Sequence, residues 1–219
     1  MPRSPVVKSL AKFIARLDGE GRKLKQLDVV QIRLGARFVP LQKTMKEKFA
    51  EASFLLVFSS WEAFLKDTFL AFMCGGQTAT GYHPESFVRC KDLEHAKKLL
   101  RHGRRFVSWT VPSDTQERAI LWFKGGEPFD SSLSAMSTQL DVMRRIRNGI
   151  AHESTDAKEK FRSAVRQLLG FVPRRVTPGS ILLTPCPPNF HPSVVAAPPQ
   201  LIIEVFVELL KATAEQIER

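Results

Sequence analysis

The chain has 219 residues, 43% hydrophobic and 25% charged, with a formal net charge of +11 at pH 7 and an isoelectric point near 9.9. That length suits one folded domain with an added embellishment, and a field this positive favours a polyanion as partner, nucleic acid first. Three cysteines, Cys74, Cys90 and Cys186, are odd in number, far apart and without a CxxC pair. They argue against a disulfide framework and a Cys-rich zinc site, and fit a reducing cytosol.

The first residues, MPRSPVVKSLAKFIARLDGEG, are basic but lack an apolar core of signal-peptide length. The longest apolar segments, SFLLVFSSWEAF and LIIEVFVELL, are too short and too charged to span a bilayer. A soluble, cytoplasmic protein with no membrane partner is the expectation.

Residues 5–34 carry apolar side chains at helical spacing, from Val6 and Leu10 to Val30 and Ile32, and Gly35 and Pro40 close the segment. Residues 1–50 hold 12 Lys/Arg against 4 Asp/Glu, so this opening carries +8 of the total charge. It reads either as a solvated basic face or as a surface for RNA.

The strongest helix runs from Thr44 to Met73, with Phe54, Phe58, Trp61, Leu65, Phe69 and Phe72 on one stripe. Glu62 falls on the shoulder of that stripe, where a partly desolvated carboxylate calls for a cationic partner. From Gly75 to Pro128 the pattern loosens into loop, interrupted by a short basic helix in KDLEHAKKLLRHGRR. Its cluster of Lys97, Lys98, Arg101, Arg104 and Arg105 lies next to Phe106 and Trp109. Cations that track phosphates beside rings that stack bases suggest contact with RNA. His95 and His102 share this helix, but with no carboxylate or thiol set nearby they make a poor metal site.

A helix from about Ser131 to Ala151 and another over roughly Asp156–Leu169 follow. Residues 172–199 then hold eight of the 14 prolines, a density that excludes a helix and suggests an extended arm. Pro199 opens a final amphipathic helix. Without repeats or a convincing alternating strand series, the fold class is all-α. The expected organisation is a basic helical domain over residues 1–171, a proline-rich arm over 172–199 and a C-terminal helix over 200–219 packing on the bundle.

One short segment carries chemistry: RRIRNGIAHES, Arg144 to Ser154. On a helix, Met136, Leu140, Val142, Met143, Ile146 and Ile150 form its buried stripe. Arg144, Asn148 and His152 line the polar side, and Arg147 lies on the buried shoulder. A guanidinium there must be paired, and Glu62 is the natural candidate. Gly149 loosens the helix and would let the chain bend, bringing Arg147 and His152 to one phosphate. With 18 arginines and 5 histidines, about 0.4 matches to Arg-x4-His arise by chance, and requiring Asn after the Arg lowers that to about 0.004.

RNGIAH, Arg147 to His152, resembles the Arg-Asn-x-x-x-His signature of the HEPN superfamily, helical domains whose active members are mostly metal-independent ribonucleases. LLVFSSWEAFLKDTF, Leu55 to Phe69, is similar to the first core helix of the RiboL-PSP-HEPN branch, in which a Glu packs toward the motif helix. The resemblance covers residues 45–170 in order of elements, and the proline-rich arm lies outside it. It implies a HEPN-like bundle and an endoribonuclease whose catalytic residues are Arg147, Asn148 and His152, supported by Glu62. No metal or cofactor is implied, because RNA supplies its own nucleophile, the 2′-hydroxyl. His152 takes or gives a proton near neutral pH, Arg147 neutralises charge on the phosphorane and Asn148 orients. The products are a 2′,3′-cyclic phosphate and a 5′-hydroxyl.

One imidazole cannot act as base and acid at once, and the family's answer is a homodimer whose motifs face each other. Arg144 and Arg145 would line that groove, with Arg101, Arg104 and Arg105 as further RNA contacts. Relatives of this kind include toxins held by an antitoxin and antiphage-defence effectors, so an antitoxin or other regulatory protein is a further implied partner. The alternative is a non-catalytic HEPN module for RNA binding or dimerisation. Phosphate-loop, dinucleotide, zinc-protease and serine-hydrolase motifs do not occur, nor does a helix-turn-helix stand out.

Overall fold

The computed structural model describes residues 4–27, 29–34, 37–101, 107–192 and 199–219. These are mostly helical, as the all-α reading expects, with nine α-helices and one small hairpin among the described residues. The chain divides into two compact units, each gathered from separate segments.

The first unit comprises Met1–Ala15, Ser59–Asp141 and Leu210–Arg219. Its core is aromatic. On helix α1 (Pro5–Gln26), Phe13 stacks on Phe64 at 5.1 Å and tilts against Trp61 at 5.8 Å. Both partners belong to helix α2 (Lys43–Met73). Further along α2, Phe69 is ringed by Trp109 at 5.3 Å, Phe123 at 4.9 Å and Phe129 at 5.0 Å. Every residue of the expected α2 stripe is buried. So are Phe64, Thr68, Leu70, Ala71 and Met73, which lie off it; the end of α2 is enclosed all round, as a helix apolar on every side requires.

The loosened stretch after Gly75 holds two helices. Helix α3 (Leu93–Arg101) is the expected basic helix, with Asp92 Oδ1 accepting from the His95 N–H at 2.8 Å as its cap. Helix α4 (Pro112–Trp122) was not expected. It begins on a proline at its first turn, and its buried positions, Thr115 and Ala119, are small, so no large apolar stripe marks it. Phe129–Ala135 forms helix α5 and Ser137–Ala151 helix α6. The single helix expected over 131–151 is therefore divided at Met136, whose ψ of 10° is non-helical.

The second unit comprises Arg16–Phe58 and Val142–Leu209. The helical pattern expected to run to residue 34 ends at Gln26. Strands β1 (Gln31–Leu34) and β2 (Arg37–Pro40) follow, paired antiparallel with Ile32 opposite Val39 and Arg33 opposite Phe38. Helix α7 (Thr155–Leu169) is capped at its start by Ser154, which accepts from Ala157 N–H. It ends at Gly170, whose φ of 81° supplies the left-handed closing turn.

The proline-rich segment is not wholly extended. Pro178–Leu182 forms helix α8, because Pro178 sits in its first turn and Thr177 and Ser180 build a capping box around it. Gly179 brings α8 onto α2: its N–H donates to Glu51 Oε1 at 3.0 Å, and Thr177 Oγ1 donates to Glu47 Oε2 at 2.8 Å. Lys48 Nζ, 2.7 Å from Glu51 Oε2, completes the carboxylate's partners, and that bond holds the ammonium above its usual range. Helix α9 (Ile202–Ile217) closes the chain, with Phe206 between Phe54 at 5.6 Å and Phe190 at 5.7 Å. Among the described residues no helix is long and apolar enough to cross a membrane.

Candidate functional site

The motif occupies the last turn of α6. Met143 and Ile146 are fully buried, and that apolar stripe fixes the phase of the residues between them. Arg147 is half-buried, in keeping with a position on the shoulder of the stripe. Its Nη1 donates to Asn148 Oδ1 at 3.2 Å. Asn148 therefore acts on the neighbouring guanidinium, holding a flexible cation in one place.

His152 directly follows the last helical residue, Ala151, and its backbone N–H donates to Asn148 O at 2.9 Å. The helical hydrogen-bond ladder thus runs through Gly149 without interruption, and the bend expected there does not occur. Gly149 is used for approach instead. A Cβ at this position would stand 2.8 Å from Phe161 Cβ and 3.0 Å from Phe161 Cγ; the glycine lets α6 lie against α7. The His152 side chain is exposed and has no hydrogen-bond partner among the described residues.

The arrangement at this helix end is a fixed guanidinium, its amide clamp and a free imidazole within six residues. Cations are also favoured here by the negative end of the helix dipole. Arg145 Nη1 donates to Ser163 Oγ at 3.3 Å, tying the basic edge of α6 to α7, and Arg144 is half-buried. Ser163 and Phe161 carry no motif of their own; a glycine in the motif helix followed by a large ring in the next helix is the sequence signal for this contact.

Glu62, in the first unit, is half-buried and accepts from Thr110 Oγ1 at 2.8 Å. The partner of this carboxylate is a hydroxyl and not the guanidinium expected of Arg147. Arg101 is exposed at the end of α3. Arg104, Arg105, Phe106 and His102 lie outside the described residues. Trp109 does not offer its ring to a base: it is 7% exposed, packed on Phe69, with the Arg118 guanidinium over its face at 5.2 Å. Burial there depends on partners 40 residues away along the chain, which local composition does not reveal.

The cysteines are free thiols, Cys90 and Cys186 buried and Cys74 half-buried. Desolvation pushes all three above the ordinary thiol range, Cys186 to about 11, which disfavours the reactive thiolate. No group of three or more His, Cys, Asp or Glu among the described residues is placed to hold a metal ion. Compared with protein-family models, curated proteins and solved structures, the chain matches none.

Proposed function

We propose that the protein is an endoribonuclease of the HEPN type, acting through Arg147, Asn148 and His152 of α6. The observation that carries this reading is the Arg147–Asn148 hydrogen bond one turn before an exposed His152. A cation and an imidazole, the groups that transesterification of RNA uses, lie within six residues, and the amide between them fixes the cation.

In the proposed step the 2′-oxygen forms a bond to the adjacent phosphorus as the P–O5′ bond breaks. The 2′-hydroxyl proton passes to one imidazole, and the departing 5′-oxygen takes a proton from another. Arg147 neutralises charge gathering on the non-bridging oxygens, where a positioned donor contributes most in the transition state. Asn148 keeps the guanidinium aimed. His152 supplies one imidazole, and its counterpart in a second copy of the chain supplies the other, which makes a homodimer part of the proposal. Arg144 and Arg145 flank the motif and hold neighbouring phosphates. Regulation by an antitoxin-like or other inhibitory protein belongs to the same proposal.

The test is a matched pair of oligonucleotides in excess EDTA, one RNA and one with 2′-deoxyribose throughout. Cleavage of the RNA alone, leaving a 2′,3′-cyclic phosphate, is the expected result. Cutting of both strands would remove the 2′-hydroxyl from the mechanism and overturn it. Binding of RNA without cleavage would make the chain an RNA-binding module instead.

A further inference from the structure

A second feature of the motif's unit concerns how RNA would be held. Many surface lysines are paired within the chain: Lys23 with Glu20, Lys48 with Glu51, Lys97 with Glu94, Lys124 with Glu85, Lys160 with Asp156. Arg162, Arg166, Arg174 and Arg175 differ. All four are exposed, and among the described residues none has a carboxylate partner.

Their placement is ordered by α7. Lys158, Arg162 and Arg166 are spaced four apart and form one exposed row along that helix, bordering the buried face of Phe161, Val165 and Leu168. The helix has 15 residues and spans about 22 Å. It begins three residues after His152, so the stripe leads away from the motif. Arg145, bonded to Ser163, adds a cation from α6 beside α7. At the far end, the left-handed turn at Gly170 delivers Phe171, a residue 62% exposed. Arg174 and Arg175 follow at once.

We propose that this surface is a track for single-stranded RNA: Lys158, Arg162 and Arg166 hold phosphates, and Phe171, flanked by Arg174 and Arg175, stacks on an unpaired base. The inference rests on RNA being what the motif handles. Unneutralised cations in a line match a polyanion, because each phosphate contact releases counterions. A ring standing out at the end of such a line can engage a base that is not already stacked in a duplex. It replaces Trp109, whose ring is occupied, as the stacking residue.

The experiment is a fluorescence-polarisation titration of a labelled, uridine-rich single-stranded RNA against the full chain carrying His152→Ala, so that the strand stays intact. Adding Phe171→Ala should weaken binding about 5- to 150-fold, the loss of one base–aromatic stack. Phe171→Trp should preserve affinity, and Phe171→Leu should behave like the alanine variant. Replacing Arg162 and Arg166 with Gln should reduce the slope of log affinity against log salt by about 1.4, the share of two phosphates on a single strand.

Unchanged affinity in Phe171→Ala would overturn the proposal. So would unchanged RNA affinity with an altered sedimentation coefficient, which would assign the ring to a protein contact. Failure of the track and failure of the ribonuclease reading are separable. Phe171-dependent binding by a chain that never cleaves keeps the track alone, whereas cleavage by a chain indifferent to Phe171 keeps the ribonuclease alone.

Discussion

Gly149 and Phe161 meet so closely that a single methyl group on the glycine would stand 2.8 Å from the Phe161 Cβ. Backbone hydrogen bonding continues past the glycine to His152, so the residue serves packing between α6 and α7. Helix propensity and packing therefore oppose each other at this position. Alanine is the better helix former by about 1 kcal/mol, while forcing a side chain into a filled contact costs about 1–3 kcal/mol.

The Gly149→Ala variant should accordingly lose about 1–3 kcal/mol of stability in urea unfolding. Phe161→Leu, introduced in the same chain, should not restore that loss, because leucine keeps the Cβ and Cγ that the added methyl would meet. A gain in stability from Gly149→Ala would show that the two helices are not in contact there.

Gly179 offers a harder version of the same test. A Cβ there would lie 2.4 Å from the Glu47 carbonyl oxygen, and backbone cannot swing aside as a ring can. Gly179→Ala should cost more than Gly149→Ala, about 3 kcal/mol. Glu51→Ala, which strips the acceptor from the Gly179 N–H, should cost about 1–3 kcal/mol. If both variants unfold at the wild-type urea concentration, α8 is not docked on α2.

Cys186 sets a pH dependence. Burial lifts its thiol from 9.0 to about 11. Between those values the folded chain keeps the proton that the unfolded chain has released, so this residue's contribution to stability is complete below pH 9.0. It declines as pH rises toward about 11. The Tm of wild type should therefore fall more steeply over that interval than the Tm of Cys186→Ala. Parallel curves would contradict a buried thiol, as would rapid alkylation of Cys186 in the native protein.

Much of this fold can be read in the sequence where large side chains recur at regular spacing. The stripe of α2 from Phe54 to Phe72 and that of α6 from Leu140 to Ile146 are buried as their periodicity demands, and only Ile150, at the end of α6, is half-buried. Elements built from small or few residues escape such a reading. Thr115 and Ala119 turn α4 inward without bulk, and four-residue strands around Ile32 and Val39 are too short to outweigh a helical pattern preceding them. The capping box at Thr177 does announce α8, but only when its Ser180 is weighed against the surrounding prolines. At the motif, Arg147 and Asn148 are neighbours in sequence and meet as neighbours. The ring of Trp109 and the carboxylate of Glu62 take their roles from Phe69 and Thr110, and tertiary contacts of that kind have no local signature.

Asn148 is assigned to hold Arg147, and kinetics can separate that from a direct part in the reaction. Arg147→Ala should lower kcat about 100- to 1000-fold, as loss of one positioned donor does elsewhere. Asn148→Ala leaves the guanidinium present but unfixed and should lower kcat about 10- to 100-fold with KM little changed. Combined, the two should cost no more than Arg147→Ala alone. Additive losses would mean that Asn148 acts independently of the arginine.

The central claim is that His152 transfers protons in RNA cleavage. It is tested most directly by incubating wild type and His152→Ala with single-stranded RNA in excess EDTA, with both proteins first shown to have the same helical circular dichroism and sedimentation. The account expects cleavage to a 2′,3′-cyclic phosphate by wild type, and intact but bound RNA with His152→Ala. Equal cleavage by both proteins, or none by either, would contradict it.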